Sequence, residues 1–136
     1  MNHESLLEAV VTSANTLGYT PTPLKELHKT VCKNGFPIAA YAPLVLLSAE
    51  GEKERERLFA LNVKFMCSNE LSDEARAKVI ACMACEAEQF VGLLADTKDV
   101  LSVEVREVVV EEQCNTVAGE VAVALNATVR CIECNL

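Results

Sequence analysis

The chain has 136 residues, 51% of them hydrophobic and 24% charged, which is the balance of a single globular domain over residues 1–136. A chain of this length buries roughly 65–70% of its unfolded surface, enough for a self-sufficient core. Acids outnumber bases 20 to 12 and aromatic residues make up only 4%, which argues against phosphate binding and base stacking and excludes nucleic acid as a specific partner.

We expect neither export nor membrane insertion. The N-terminal stretch MNHESLLEAVV carries no Lys or Arg ahead of its apolar residues, unlike a secretory signal. The longest apolar run, Ile38 to Ala49, contains Pro43 and is far shorter than the ~20 residues that a bilayer requires. The seven cysteines are odd in number, which favours free thiols in a reducing cytoplasm.

Two helices are predicted in the N-terminal quarter of the chain. The first covers about Glu4–Leu17 and has apolar residues at helical spacing on one face. Residues 19–23 (YTPTP) are then expected to form an extended linker. A short second helix follows, with Thr22 as its cap and Pro23 at its first position, and it ends before Gly35.

A first β-hairpin is predicted in the middle of the chain. Phe36–Ser48 is short, apolar and rich in β-compatible residues, which indicates a strand broken or bent at Pro43. Leu58–Cys67 alternates apolar and polar residues with period two, the pattern of a strand with one buried face. The segment between them, Glu50–Arg57 (EGEKERER), is interpreted as a mixed-charge loop at the tip of the hairpin.

The remainder predicts a long helix and a second hairpin. The helix covers about Asp73–Leu94, with Ser72 as its N-cap. Val103 and Val105 alternate with Glu104 and Arg106, and alternation also covers Val121–Cys131. These patterns indicate two strands, joined by a turn or loop between Glu112 and Glu120. We expect the apolar stripe of the helix to pack on the last strand. The residues concerned are Val79, Met83, Ala87, Phe90 and Leu94 on the helix, and Val121, Val123, Leu125 and Val129 on the strand.

The order of elements is typical of an α+β domain. Two hairpins separated by a helix predict a four-stranded, mainly antiparallel sheet, packed against the long helix and an N-terminal helix that cover one face. Such a sheet has two edges, and exposed edges have to be covered or paired.

Two Cys-x-x-Cys pairs suggest an alternative, a small metal-binding or thiol-redox module. Cys82 with Cys85, and Cys131 with Cys134, have the spacing of zinc ligands. The first pair lies inside the long helix instead of on a tight turn, and neither pair opens a helix, where the dipole would lower a thiol pKa. The default interpretation is small apolar side chains, so we expect no metal, no disulfide and no cofactor.

Other residues that could carry chemistry give weaker signals. His28 and Cys32 are four apart on the short helix, a spacing that can ligate a metal, but no third ligand lies nearby in sequence. The chain has no Gly-rich phosphate loop and no nucleophile elbow, so we expect no catalytic residues and no enzyme activity. Three loop acids are more often solvated than catalytic: Asp96, Asp99 and Glu120.

The charged tip has two interpretations. It is either a solvated hairpin end or a rim that pairs with another copy of itself, since both charge signs interleave within a few residues. On the second interpretation, the subunit interface contains Glu50, Glu52, Lys53, Glu54, Arg55, Glu56 and Arg57.

Short phrases occur along the chain in a recognisable order. After the N-terminal helix, FPIA (36–39) leads into APLV (42–45), followed by the charged tip, a strand and one long helix. LSVEV (101–105) and NTVAGEVA (115–122) then precede the last strand. This layout, which covers most of the chain, resembles that of the tail terminator and related neck or tail-completion proteins of long-tailed phages.

The resemblance implies a non-enzymatic virion structural protein. It implies a homo-oligomeric ring, commonly a hexamer, that caps the tail tube and joins it to the head connector, with other tail or connector proteins as partners and no cofactor. It also implies a place in the virion tail or neck after assembly in the host cytoplasm. An acidic ring would repel DNA passing its lumen, which suits transit. A cytoplasmic adaptor or interaction domain is the other alternative, because fold does not fix function.

Overall fold

Three α-helices and six β-strands are present in the part of the chain that the structure describes. The structure is a computed structural model, and it describes residues 1–50, 54–68, 72–111 and 120–134. A 3-10 turn at Leu24–Glu26 leads into the second helix. The elements in chain order are α1 (His3–Thr16), β1 (Thr20–Pro23), α2 (Leu27–Asn34), β2 (Ile38–Tyr41), β3 (Val45–Glu50), β4 (Glu54–Cys67), α3 (Asp73–Ala95), β5 (Val100–Glu111) and β6 (Val121–Cys134).

All six strands belong to one sheet. Its order is β1-β2-β4-β6-β5, and β3 lies beyond β2 along the same side of β4. Every pairing is antiparallel except that of β1 with β2. The α+β class is therefore confirmed, and the antiparallel pairings of β3 with β4 and of β5 with β6 are present. The sheet nevertheless has six strands, not the predicted four.

Proline accounts for one of the two extra strands. The single strand predicted over Phe36–Ser48 is two strands, Ile38–Tyr41 and Val45–Glu50, with Pro43 between them. Proline has no N–H to donate to a sheet ladder, so the chain leaves the ladder at Pro43 and rejoins it at β3. The predicted break is thus complete enough to give two strands.

The other extra strand is the segment expected to be a linker. Thr20–Pro23 pairs with β2 in parallel, and the backbone N–H of Thr20 donates to Pro37 O at 3.1 Å. Its two prolines alternate with threonines, so their missing N–H groups fall at positions that face away from β2. An edge strand tolerates prolines placed in this way. Thr22 is therefore not a helix cap; its hydroxyl lies 2.7 Å from that of Thr30 on α2.

The main core lies between the sheet and the helices α1 and α3. Phe90 of α3 is fully buried, and its ring meets Phe65 of β4 edge-on at a centroid distance of 5.3 Å. Tyr19 also meets Phe65 edge-on, at 5.1 Å. The predicted packing of the long helix on the last strand is confirmed. One buried cluster contains Met83, Ala87, Phe90 and Leu94 together with Val121, Val123, Leu125 and Val129.

A smaller core lies on the opposite face, which corrects the prediction that helices cover one face only. Ile38, Met66 and Ala122 are cross-strand neighbours on β2, β4 and β6, and all three are buried. Leu27 and Val31, four residues apart on α2, pack against them. Residues at this spacing share one side of a helix, and α2 needs a sheet surface on which to bury that side.

The ends of α1 and α3 agree with the predictions to within one residue, whereas α2 begins at Leu27, four residues after the predicted start at Pro23. The N-cap side chain of Ser72 accepts a hydrogen bond from the backbone N–H of Ala75 at 3.2 Å, as predicted for α3. Asn2 caps α1 in the same way, accepting from Ser5 N at 2.9 Å. Within the described ranges, no helix combines the length and the hydropathy needed to cross a bilayer.

Candidate interaction surface

The long strand β5 leaves a row of apolar side chains in solvent. It is the last strand of the described sheet and pairs through one side with β6. Proteins usually protect such an edge with charges, prolines or a very short strand, and β5 carries charges in the middle of its length, at Glu104, Arg106 and Glu107. On β5, five large apolar side chains are between 39% and 49% exposed: Leu101, Val105, Val108, Val109 and Val110. This edge is a candidate for pairing with another chain.

An open apolar groove runs beside β5 on the face of the sheet that carries α1 and α3. Its volume is about 360 Å³. α3 presents the short side chains of Ala84 and Ala87 to the groove, which leaves much of β5 uncovered. Val105 and Val108 share this face with the core residue Leu125 yet remain exposed. The lining consists of Ala84, Ala87, Glu88, Val91, Val105, Val108 and Leu125.

The opposite side of the sheet has a second apolar edge. β3 pairs with β4, and no described strand pairs with its outer side. Val45, Leu46 and Leu47 are each about half exposed. Leu46 lies opposite Phe59 of β4, which places it on the face that carries α1 and α3. The sheet thus exposes apolar edges on two sides.

The charged tip differs from the predicted loop. β4 begins at Glu54, and Arg57 pairs with Ala49 of β3, so the tip from Glu54 onward is strand. This is possible because β6 extends to Cys134 and pairs with the whole of β4. Glu52 and Lys53 lie outside the described residues, as do the side chains of Glu50 and Glu54.

The described tip residues divide between the two faces of the sheet. Glu56 forms an ion pair with Arg130 of β6 at 2.9 Å, on the face away from α1 and α3. Arg55 and Arg57 lie in register with Phe59, on the same face as Leu46. Arg55 is exposed and Arg57 is half-buried. The candidate interface therefore presents arginines beside the apolar β3 edge.

The face of the sheet that carries α2 also has charged side chains, and these form ion pairs within the chain. Besides the pair of Glu56 with Arg130, Lys64 of β4 lies 3.2 Å from Glu111 of β5. Both pairs are partly exposed and join neighbouring or next-but-one strands. Both cations are thus set against carboxylates of the same chain, and the absence of a specific nucleic-acid partner remains a prediction.

The two Cys-x-x-Cys pairs differ in their surroundings. Cys82 and Cys85 are exposed on α3, whereas Cys131 is buried in β6 with its thiol 3.8 Å from the backbone oxygen of Arg57. The side chain of Cys134 lies outside what the structure describes. Among the described residues, no three His, Cys, Asp or Glu side chains form a group that could hold a metal ion. That the pairs carry no metal remains a prediction.

A small polar cluster between α1 and α3 was not found from the sequence. Glu86 of α3 accepts a hydrogen bond from the thiol of Cys82 at 3.3 Å and bonds to the phenol of Tyr19. Burial, followed by the nearby charge of Glu86, raises the pKa of Tyr19. The hydrogen bond to Glu86 and its negative charge raise the pKa of Cys82. Both groups are thus shifted toward the protonated form.

The remaining candidates do not converge. His28 Nε2 and Cys32 Sγ are 3.9 Å apart on an exposed side of α2. Asp96 is the C-cap of α3, and Asp99 has a positive φ of 70° in the turn before β5, where its backbone oxygen accepts from Ile132 N at 2.8 Å. Glu120 was expected to be a solvated loop acid, but it is fully buried directly before β6, so that expectation is wrong. Asp96 and Asp99 thus have structural positions, at the end of α3 and in the turn before β5.

No protein-family model and no curated protein matches this sequence. Among solved structures, one to which the fold is similar is the core region of PilO from the type IV pilus system of Pseudomonas aeruginosa. The two share 8% identity with a TM-score of 0.38, over 79% of this chain and 90% of that chain. At that level the likeness carries no argument about function.

Proposed function

We propose that this chain is a non-enzymatic structural subunit that assembles with copies of itself into a ring. In this proposal, the ring acts as a tail-terminator-like virion protein at the head–tail or tail-tube junction of a long-tailed phage. The observation that carries the proposal is the pair of exposed apolar edges, β3 and β5, on opposite sides of one sheet. Edges of this kind act as templates for pairing with another chain.

A ring follows from the placement of the two edges. β4 and β6 lie between β3 and β5, so these edges do not meet within one chain. A contact between two different edges of neighbouring copies is heterologous, and repeated heterologous contacts close into a ring when the rotation allows. Such an assembly would cover both edges of every subunit at once.

The assignment to a phage tail rests on the layout of the sequence. The order of the helices and hairpins, with the phrases FPIA and GEVA, is the part that resembles tail terminators and neck proteins. A net charge of −8 and the ion pairs on the sheet face that carries α2 are compatible with a lumen that lets DNA pass without binding it. Tail-tube or connector proteins would then be the partners, and the virion tail or neck the location.

The proposal is tested by the native mass of the purified chain. Native mass spectrometry and analytical ultracentrifugation over a range of protein concentrations should give one closed stoichiometry, and negative-stain images should show rings with a central opening. Elemental analysis of the same sample should show no stoichiometric zinc. A monomer at every concentration would overturn the ring and favour an adaptor domain, whereas a zinc-bearing monomer would favour the Cys-pair module.

A further inference from the structure

We propose that β3 of one copy pairs antiparallel with β5 of the next, and that Leu46 of the incoming β3 enters the groove between β5 and α3. This inference rests on the proposed self-assembly and specifies the contact that would produce it. The groove is lined by small and apolar side chains, including Ala84, Val105 and Val108, and about 360 Å³ of it is open. The occupant we infer is therefore a second copy of this chain.

The directions of the strands fit this pairing. β3 and β6 both run antiparallel to β4, and β5 runs antiparallel to β6. β3 and β5 therefore point in opposite directions within one subunit. When a second copy is placed beside the first in the same orientation, its β3 meets β5 as an antiparallel neighbour, the arrangement with the better hydrogen-bond geometry.

The faces of the two edges also match. Leu46 lies on the sheet face that carries α1 and α3, and the groove opens on the same face beside β5. In a sheet that continues from copy to copy, each face stays on one side. Leu46 of the incoming strand would then lie next to Val105 and Val108, both of which are exposed in the single chain. Apolar surface removed from water in this way stabilises the contact.

Charge complementarity selects the same pairing. Glu88 stands at the groove, and Arg55 and Arg57 lie beside β3 on the matching face. A β3-to-β5 contact brings these opposite charges toward each other. A two-fold pairing of β5 with β5 would instead bring together two copies of an edge on which Arg106 is already paired with Glu104 at 3.2 Å, and it would leave Arg55 and Arg57 outside the contact.

The edge strand β1 is a poor alternative to β3 as the strand that pairs with β5 of the next copy. It has only four residues, and its two prolines, Pro21 and Pro23, cannot donate to an incoming strand. β3 is therefore the edge on that side of the sheet with apolar residues and unblocked N–H groups. The proposed contact thus pairs the two most capable edges of the described sheet.

A photo-crosslinking experiment tests the contact directly. Benzoylphenylalanine is placed at position 46 of the full chain, and the assembled protein is irradiated and mapped by peptide mass spectrometry. We expect intermolecular crosslinks to residues 84–91 of α3 or 105–108 of β5. Crosslinks between two copies of position 46, or intermolecular crosslinks confined to other surfaces, would overturn the proposal.

Matched variants test the contact by affinity. Leu46→Asp at the edge and Ala84→Trp in the groove should each raise the dissociation constant of the assembly by about tenfold or more, since each fills or charges a packed interface position. Cys32→Asp on α2 and Asn15→Trp on α1 introduce the same side chains at exposed positions outside the proposed contact, and they should change it less than about twofold. Circular dichroism confirms that each variant is folded.

A charge exchange separates this inference from the proposed function. Glu88→Arg and Arg55→Glu should each weaken assembly, and the double variant should recover most of the loss. Assembly without such recovery, or with unchanged affinity in Leu46→Asp and Ala84→Trp, would overturn the β3-to-β5 contact while leaving the ring in place. A parent protein that stays monomeric would overturn both.

Discussion

The Sγ atom of Cys82 lies 3.3 Å from Oε1 of Glu86, one turn further along α3. The carboxylate accepts a hydrogen bond from the thiol, and its negative charge opposes formation of the thiolate, so the pKa of Cys82 is raised. An exposed cysteine in this state is a poor nucleophile despite its accessibility. Cys82 thus has a smaller thiolate fraction than an ordinary exposed cysteine, and that the pair carries no metal remains a prediction.

The reactivity of Cys82 should therefore depend on Glu86. Glu86→Gln removes the negative charge, which lowers the pKa of Cys82 and raises its thiolate fraction at neutral to mildly alkaline pH. We expect faster alkylation of Cys82 by iodoacetamide in the variant, measured peptide by peptide against Cys32, an exposed thiol on α2. Equal rates at Cys82 in parent and variant would contradict the proposed control by Glu86.

The buried phenol of Tyr19 should make the fold sensitive to high pH. Its pKa is raised in the folded state, mainly by burial, so its contribution is fully present below the unfolded value of about 10 and is lost as pH rises beyond it. The free energy of unfolding should fall between pH 9 and pH 11, at up to roughly 1.4 kcal/mol per pH unit from this group.

Tyr19→Phe checks that sign. At pH 9 the variant should be less stable by about 0.5–1.5 kcal/mol, the net value of a lost hydrogen bond. It should also lose less stability than the parent on going to pH 11, as measured by urea unfolding. Tyr41→Phe is the comparison: burial also raises the pKa of Tyr41, but this residue is less buried, so its removal should act in the same direction with a smaller effect. A pH dependence identical in parent and Tyr19→Phe would rule out Tyr19 as its source.

Phe90 should be among the most sensitive positions of the core. Its side chain is fully buried and stacks edge-on with Phe65. Phe90→Ala should lower the free energy of unfolding by about 3–5 kcal/mol through lost burial and the cavity left behind. Gln89→Ala, at an exposed neighbouring position, should change it by less than about 0.5 kcal/mol. A near-zero effect at Phe90 would remove it from the core.

Local sequence patterns predicted most of the helices and strands, because the spacing of apolar residues in each shows which of its faces is buried. The stripe through Met83 and Phe90 and the alternation along β6 each show one buried face, and Ser72 marks the start of α3. The strand at Thr20–Pro23 was missed because prolines argue against strands, and only its edge position makes them acceptable. Thr20–Pro23 forms a strand because it pairs with β2, which lies further along the chain.

The candidate surface was predicted only in part, for a related reason. Interleaved charges suggested a loop at Glu50–Arg57, but pairing with residues as far along the chain as Cys134 makes Glu54–Arg57 part of a strand. The bond between Tyr19 and Glu86 joins residues that are distant in sequence and carries no local signal. The groove arises from Ala84 and Ala87, whose small size appears in the sequence as good helix propensity and not as a surface feature.

The arginines of the tip should matter to assembly mainly at low salt. Arg55→Glu combined with Arg57→Glu replaces two cations beside β3 with acids that repel Glu88 of the next copy. Exposed ion pairs contribute roughly 0–1 kcal/mol each and are screened by salt, whereas the apolar edge is not. We therefore expect weaker assembly of the double variant at low salt and a smaller difference from the parent at high salt. Sedimentation velocity at the two salt concentrations measures this.

Lys29→Glu with Lys33→Glu makes the same change in net charge at exposed positions on α2, so it reports the general effect of added negative charge. Assembly of the Arg55/Arg57 variant that matches this control at both salt concentrations would show that the tip takes no part in the contact.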